Sequence, residues 1–310
     1  MKKAMIKYWR LILLFILLLA AIYIYLVFDA ASGYVIQHLR VPRLLLTMLV
    51  GMTLGSVGFA FQLLLNNPLA EPYILGVSSG AALASILAGA AGLFLLMPLF
   101  GFLGALLAML AVYWLASGSG MFNTTRLLLA GIIVSMFLSS IISLVMYLNQ
   151  NDIGNIINIL MGNLGHIFSN TEWQIFIGIA VLCLILLGWL VLQGRRLLVL
   201  STGELVAGSL GLNVRKLRVQ VFVVSSLLTG LTVAFSGIIG FVGLIVPHLV
   251  RLIWKGNKPG SILYAGVFGS VFLLVCDFIA MHLVVIELPV GIVTSFIGCT
   301  LFIYLLWRKK

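Results

Sequence analysis

Residues Leu11 to Phe28 run without a charged side chain, and stretches of the same kind recur to the end of the chain. A bilayer core about 30 Å thick takes roughly 20 apolar residues of helix to cross. Ten stretches reach or approach that length: 11–28, 44–65, 74–96, 98–116, 127–148, 173–193, 217–236, 238–254, 262–285 and 290–307. The eighth is short, rich in glycine at its start and interrupted by Pro247, and the third and fourth meet at Met97-Pro98, a candidate tight hairpin. Only 8% of the residues are charged, against about 25% in a soluble domain. The expected fold is all-α: a polytopic integral membrane protein of about ten transmembrane helices, with residues 1–310 forming one domain. The first span resembles a signal peptide, but its apolar run is too long and Asp29-Ala-Ala-Ser-Gly is a weak cleavage site, so an uncleaved span is expected.

The placement of charge orients the spans. With the N-terminus in the cytoplasm, sixteen of the 18 Lys and Arg residues fall in segments on that side, which places both termini in the cytoplasm. The exceptions are Arg40 and Arg43, and the outer loops otherwise hold Asp29, Asp152 and Glu172. The net charge of +11 therefore follows from topology and not from a nucleic-acid stripe.

After the second span comes Asn66-Asn67-Pro68-Leu69-Ala70-Glu71-Pro72, followed at once by the Gly/Ser-rich Gly76, Ser78, Ser79 and Gly80. Two prolines four residues apart do not fit one regular helix. Broken backbone between membrane helices survives where it is packed in protein or lines a cavity, so this is a candidate loop on a pathway; a simple turn is the other reading. Ile153 to Leu164, with Ile156, Ile157, Leu160 and Met161, has the pattern of a short amphipathic helix on the outer face. The longest cytoplasmic segment, 194–218, expects one or two short helices, one capped by Ser201 or Thr202 with Glu204 in its first turn. It is either a docking surface or an ordered loop with no partner. Glycines such as Gly51, Gly55 and Gly58 suit close approach of helix backbones.

Searches for chemistry return absences. No G-x-x-x-x-G-K-[ST] word exists, so no P-loop for ATP is expected in this chain, nor any cofactor of its own. The four histidines are scattered, and His248 reads as a structural imidazole. Cys183, Cys276 and Cys299 lie in apolar runs without metal-ligand spacing. Asp277 and Glu287 are the acids near the last two spans, with no second titratable partner evident in the sequence, so a proton relay is unsupported. Without a nucleophile, metal set or acid–base pair, the chain does not read as an enzyme, and an ion-driven secondary transporter is the rival class.

Several words then carry a family resemblance: R-V-P-R (40–43), N-P-L-A-E-P-Y-I-L-G-V-S-S-G-A (67–81), T-R-L-L-L-A-G (125–131), G-E-L-V-A-G-S-L-G-L-N-V (203–214), G-I-I-G-F-V-G-L-I-V-P-H-L-V-R (237–251) and E-L-P-V-G-I-V-T (287–294). In this order the chain resembles the permease subunit of type II ABC importers, which take up ferric siderophores, haem and cobalamin. The resemblance implies a second permease subunit, two cytoplasmic ATPase subunits that use the ATP, and an extracytoplasmic substrate-binding protein. It implies that Arg40 and Arg43 meet acidic residues of that binding protein. It places a cytoplasmic gate at Asn67 and Leu69 with a second constriction at Asn123 and Thr124. It assigns coupling to the ATPase to Gly203, Glu204, Leu205, Gly208, Leu210, Gly211 and Leu212. Three positions depart from the family pattern. Lys255-Gly-Asn-Lys-Pro259 replaces an aspartate-histidine-arginine word, Met281 stands where a third outward arginine is common, and Asn66 where a charge is frequent. The expected cargo is an iron chelate, a ferric siderophore first and haem next, with cobalamin the alternative.

Overall fold

A computed structural model describes residues 2–28, 32–117, 124–150 and 153–308. The helices are α1 (Lys2–Val27), α2 (Gly33–Val35), α3 (Val41–Leu64), α4 (Val77–Ala90), α5 (Met97–Ser117), α6 (Thr124–Leu148) and α7 (Ile153–Met161), then α8 (Asn170–Leu192), α9 (Gly194–Leu200), α10 (Glu204–Ser209), α11 (Val214–Ser236), α12 (Val242–Trp254), α13 (Ser261–His282) and α14 (Val290–Arg308). No strand occurs among the described residues. One turn of π-helix, Ile36–Arg40, joins α2 to α3 and absorbs an extra residue before the long core helix.

The third α-helix is the axis of the bundle; from Leu49 to Leu64 nearly every residue is buried. Its glycines explain how the neighbours come so near. A Cβ added at Gly51, Gly55 or Gly58 would lie 2.4, 2.3 and 2.1 Å from the carbonyl oxygens of Gly269, Ala265 and Gly243. One face of α3 thus packs backbone to backbone on α13 and α12, the small-residue contact that lipid-embedded helices use in place of a hydrophobic drive. By contrast α5, α6 and α8 carry exposed apolar residues such as Leu107, Phe137 and Ile185 and form the apolar perimeter. Among the described residues the helices are long and apolar enough for a multi-pass membrane protein, six by length and hydropathy together and four as shorter apolar helices.

Two crossings are incomplete helices. α4 has 14 residues and α12 has 13, about 21 and 20 Å of helix against a core of about 30 Å. Irregular backbone completes each: 65–76 before α4 and 237–241 before α12. The reversal after α4 comes earlier than Met97-Pro98. The chain turns at Ala91–Leu93, and the 3₁₀ turn Phe94–Leu96 feeds straight into α5, where Pro98 takes the second helical position that tolerates it.

The helix ends follow local chemistry. Ser169 and Glu172 form a reciprocal capping box at the start of α8, with Oε2 of Glu172 accepting from Ser169 N at 2.8 Å. Asn213 caps α11 by accepting from Lys216 N at 3.0 Å. Ser201 and Thr202 do not cap α10 as expected. Their hydroxyls donate backwards to the carbonyls of Leu198 and Val199, both at 2.8 Å, and so close α9. Gly203, at φ +130°, is the residue that opens α10, because a side chain is strained there.

Candidate functional site

At one end of α3 the two exceptional arginines are held inside the chain. Arg40 donates to the carbonyl of Leu26 at 3.0 Å and to that of Phe28, closing the C-terminus of α1, where a cation complements the helix dipole. Arg43 grips Asp277 with two donors, Nε to Oδ2 at 3.0 Å and Nη2 to Oδ1 at 2.8 Å. Its third nitrogen, Nη1, donates to Oε2 of Glu287 at 2.8 Å. Asp277 is fully buried, Arg43 is 11% exposed and Glu287 59%. The hydroxyl of Tyr25 donates to Asp277 at 2.5 Å. One carboxylate therefore ties α1, α3 and α13 together, and Arg43 fastens the segment after α13 to them.

This corrects one expectation: Asp277 has a titratable partner, 234 residues away in sequence and invisible as a pattern. Arg43, 11% exposed, divides its guanidinium between Asp277 and Glu287. Its place outside the positive-inside pattern has a local cause, the neutralisation of a buried carboxylate.

At the other end of α3 the broken loop begins. Asn66 (φ +47°) leaves the helix, Leu69 N donates to Oδ1 of Asn67 at 3.0 Å, and Ala70 N to Asn67 O at 3.1 Å. Asn66, Pro68 and Leu69 are exposed at the tip, whereas Ala70 and Pro72 are buried. The base of the loop is fastened by side chains. Gln62, itself buried, donates to Ala70 O at 3.3 Å and Gly243 O at 3.4 Å and accepts from Nη2 of Arg251 at 2.5 Å. Glu71 and Tyr73 accept from the amides of Phe241 and Ile239. The structure thus brings the two irregular segments, 65–76 and 237–241, face to face. Asn123 lies outside the described residues, and Thr124 is the first residue of α6.

Two cavities flank the 237–241 break. One, about 430 Å³, is lined among others by Asn158, Asn163, His166, Glu172 and Ser236. The other, about 590 Å³, lies against Leu160, Met161, Gly240, Gly291, Phe296 and Cys299. Short α7 sits between them, and Ile238 N reaches back to its Ile159 carbonyl at 3.0 Å.

The 194–218 segment builds a compact turn on α11. Ala207 is buried, while Leu205 is 92% and Leu210 66% exposed. Glu204 pairs with Arg218, a buried arginine in the second turn of α11. The acid thus secures α10 to α11 and leaves an apolar tip, and Gly211, at φ +80°, makes the bend between them. Arg218, Gln62, Arg251 and Tyr25 were missed as site residues. The first three were visible as polar side chains at span ends; nothing in the sequence links Tyr25 to Asp277.

The model of the FecCD transport family matches residues 7–308. The chain is 35% identical over 288 residues to the vitamin B12 import system permease protein BtuC of Serratia proteamaculans, covering 91% of this chain and 84% of that protein. It is 34% identical over 299 residues to the hemin transport system permease protein HmuU of Yersinia pestis, covering 91% and 86%. Among solved structures it superimposes on a metal-chelate type ABC transporter in an inward-facing conformation with a TM-score of 0.85 and 30% identity, covering 95% of this chain and 97% of that one.

Proposed function

The chain belongs to the FecCD transport family, and from that membership we propose that it is the permease subunit through which an ATP-binding cassette importer moves an iron chelate across the cytoplasmic membrane. The observation that carries the reading is the match over nearly the whole chain, together with a fold in which two short helices, about two thirds of a crossing each, are completed by irregular backbone. Such backbone at membrane depth suits a pathway wall. A ferric siderophore or haem is the cargo supported by the haemin relative and the metal-chelate neighbour. Cobalamin is the second reading, supported by the vitamin B12 relative.

The residues take the following roles. The apolar tip of α10, with Gly203, Glu204, Leu205, Gly208, Leu210, Gly211 and Leu212, docks on an ATPase subunit. Exposed leucines on a charged, non-membrane turn want a protein cover. Asn67 and Leu69 form a cytoplasmic gate, joined by Asn123 and Thr124. Arg40 remains the outward cation for a substrate-binding protein, and Arg43 joins it only when Glu287 gives way. A second permease, identical or related, completes the pathway, and the ATPase subunits bind and hydrolyse the ATP. Lys and Arg placement supports cytoplasmic termini. ATP-driven closure of the ATPases biases a two-state bundle, exchanging which end of the pathway is open. An ion-driven transporter is disfavoured because Asp277 is already neutralised by Arg43.

The test is uptake by cells lacking this gene, with and without it restored, offered labelled ferric hydroxamate, ferric catecholate, haem and cobalamin. Restoration by one iron compound supports the cargo proposed. Restoration by cobalamin alone replaces the cargo, and restoration by none of the four refutes it.

A further inference from the structure

The 237–241 break turns two backbone N–H groups away from its own segment, and side chains of the other irregular loop take both. Phe241 N donates to Oε1 of Glu71 at 2.6 Å, and Ile239 N donates to the Tyr73 hydroxyl at 3.2 Å. Phe241 is the N-cap of α12, has φ +69° and brings no side-chain acceptor. Glu71 supplies that acceptor from across the gap. The contact has no slack behind it, since a Cβ on Gly243 would lie 2.7 Å from Cδ of Pro72. The opposite side of the break, at Gly240, faces the cavity of about 590 Å³. The loop tip at Asn66–Leu69 has only local hydrogen bonds, so its position is set by its fastened base.

We propose that Glu71, with Tyr73 as a second point of attachment, is the positioning residue that makes the Asn66–Leu69 tip follow the 237–241 break. A displacement of α11, or of the cavity wall at Gly240, then reaches the constriction chiefly through the Glu71–Phe241 hydrogen bond, the shortest of the links that join the loop to the break, with Tyr73–Ile239 and Gln62–Gly243 as longer parallel links. The inference rests on the importer reading for the source of that displacement, and it names the joint through which the gate is driven. Loss of the Glu71 acceptor leaves the amide at the start of α12 unpaired, which costs more than a hydrogen bond exchanged with water.

The experiment uses the permease with its ATPase in lipid nanodiscs, in a Cys299→Ser background; Cys183 and Cys276 are buried. A reporter cysteine replaces either Leu69, which is exposed, or Gly240, where a Cβ meets nothing within 4 Å. Maleimide labelling rates are read without nucleotide and with ATP plus vanadate. In the parent, both positions change rate between the two states. In Glu71→Ala the Gly240 reporter still responds, and the Leu69 reporter loses its response and labels roughly tenfold faster in both states. Glu71→Gln, which keeps an acceptor, restores most of the response, and Tyr73→Phe shows a smaller loss. An unchanged Leu69 response in Glu71→Ala, with the Gly240 response intact, overturns the joint while leaving the importer reading standing. No nucleotide response at either position in the parent overturns the importer reading and the joint together.

Discussion

Replacing Arg43 with methionine removes the cation from a carboxylate that has no exposed surface. Asp277 would keep the Tyr25 hydroxyl at 2.5 Å and Thr47 Oγ1 at 3.4 Å, but no opposite charge. Breaking a buried pair from one side costs about 3–5 kcal/mol, because the remaining ion is left uncompensated. Asp277→Leu is the gentler change. Arg43 would retain Glu287 at 2.8 Å near the surface, and its stem can carry the guanidinium outward, so a loss of roughly 2 kcal/mol is expected. Making both changes together removes both charges and returns the chain to within about 1 kcal/mol of the parent, or above it. The Tyr25 hydroxyl loses its acceptor in that variant, and adding Tyr25→Phe recovers about 1 kcal/mol. The assay is reversible SDS unfolding of the purified chain in mixed micelles, followed by tryptophan fluorescence. The order of stabilities is the test. Additive single effects, or Arg43→Met no worse than Asp277→Leu, would refute the buried-pair reasoning.

Arg40→Gln is expected to weaken capture of substrate from the binding protein and to cost about 1 kcal/mol at the end of α1, read by uptake at limiting binding protein and by the same unfolding assay. Reversing Glu204 to arginine should uncouple ATP hydrolysis from transport, and adding Arg218→Glu should restore coupling at least in part; a swap that restores nothing would remove the ion pair from the account. Leu205→Asp should release the ATPase on co-purification while leaving the permease folded. Gly58→Ala, whose Cβ would sit 2.1 Å from Gly243 O, should destabilise the bundle by about 1–3 kcal/mol, whereas Gly178→Ala, with nothing within 4 Å, should change stability little.

The spans were legible because lipid demands a long apolar helix for each crossing, and that demand is written residue by residue. The weakness of the eighth span was legible in Gly237, Gly240 and Pro247, but the span was expected from 238 and interrupted at Pro247, whereas α12 starts at Val242 and runs on through Pro247. The extent of the third was not, because Ala91 to Leu96 are as apolar as a helix, and the turn there is marked only by Gly92, at φ +75°. The 194–218 segment was expected to hold one or two short helices and holds two, but the cap was misassigned; Ser201 and Thr202 had two helices to serve and served the earlier one. The arginines stood out as exceptions in the sequence, but their partners within the chain, Asp277 and Glu287 for Arg43 and the carbonyls ending α1 for Arg40, did not. Contacts such as Arg43 with Asp277, or Glu71 with Phe241, join residues 234 and 170 positions apart, and no local pattern encodes such meetings.

As the proposed importer permease, this chain is driven by ATP bound on a separate subunit. The most direct measurement reconstitutes the permease with its ATPase and binding protein in proteoliposomes and follows uptake of the labelled chelate that rescues deleted cells. Transport is expected to require ATP on the ATPase side, to stop with vanadate and to be indifferent to ionophores. Transport that proceeds without ATP and collapses when ion gradients are dissipated would contradict that proposal.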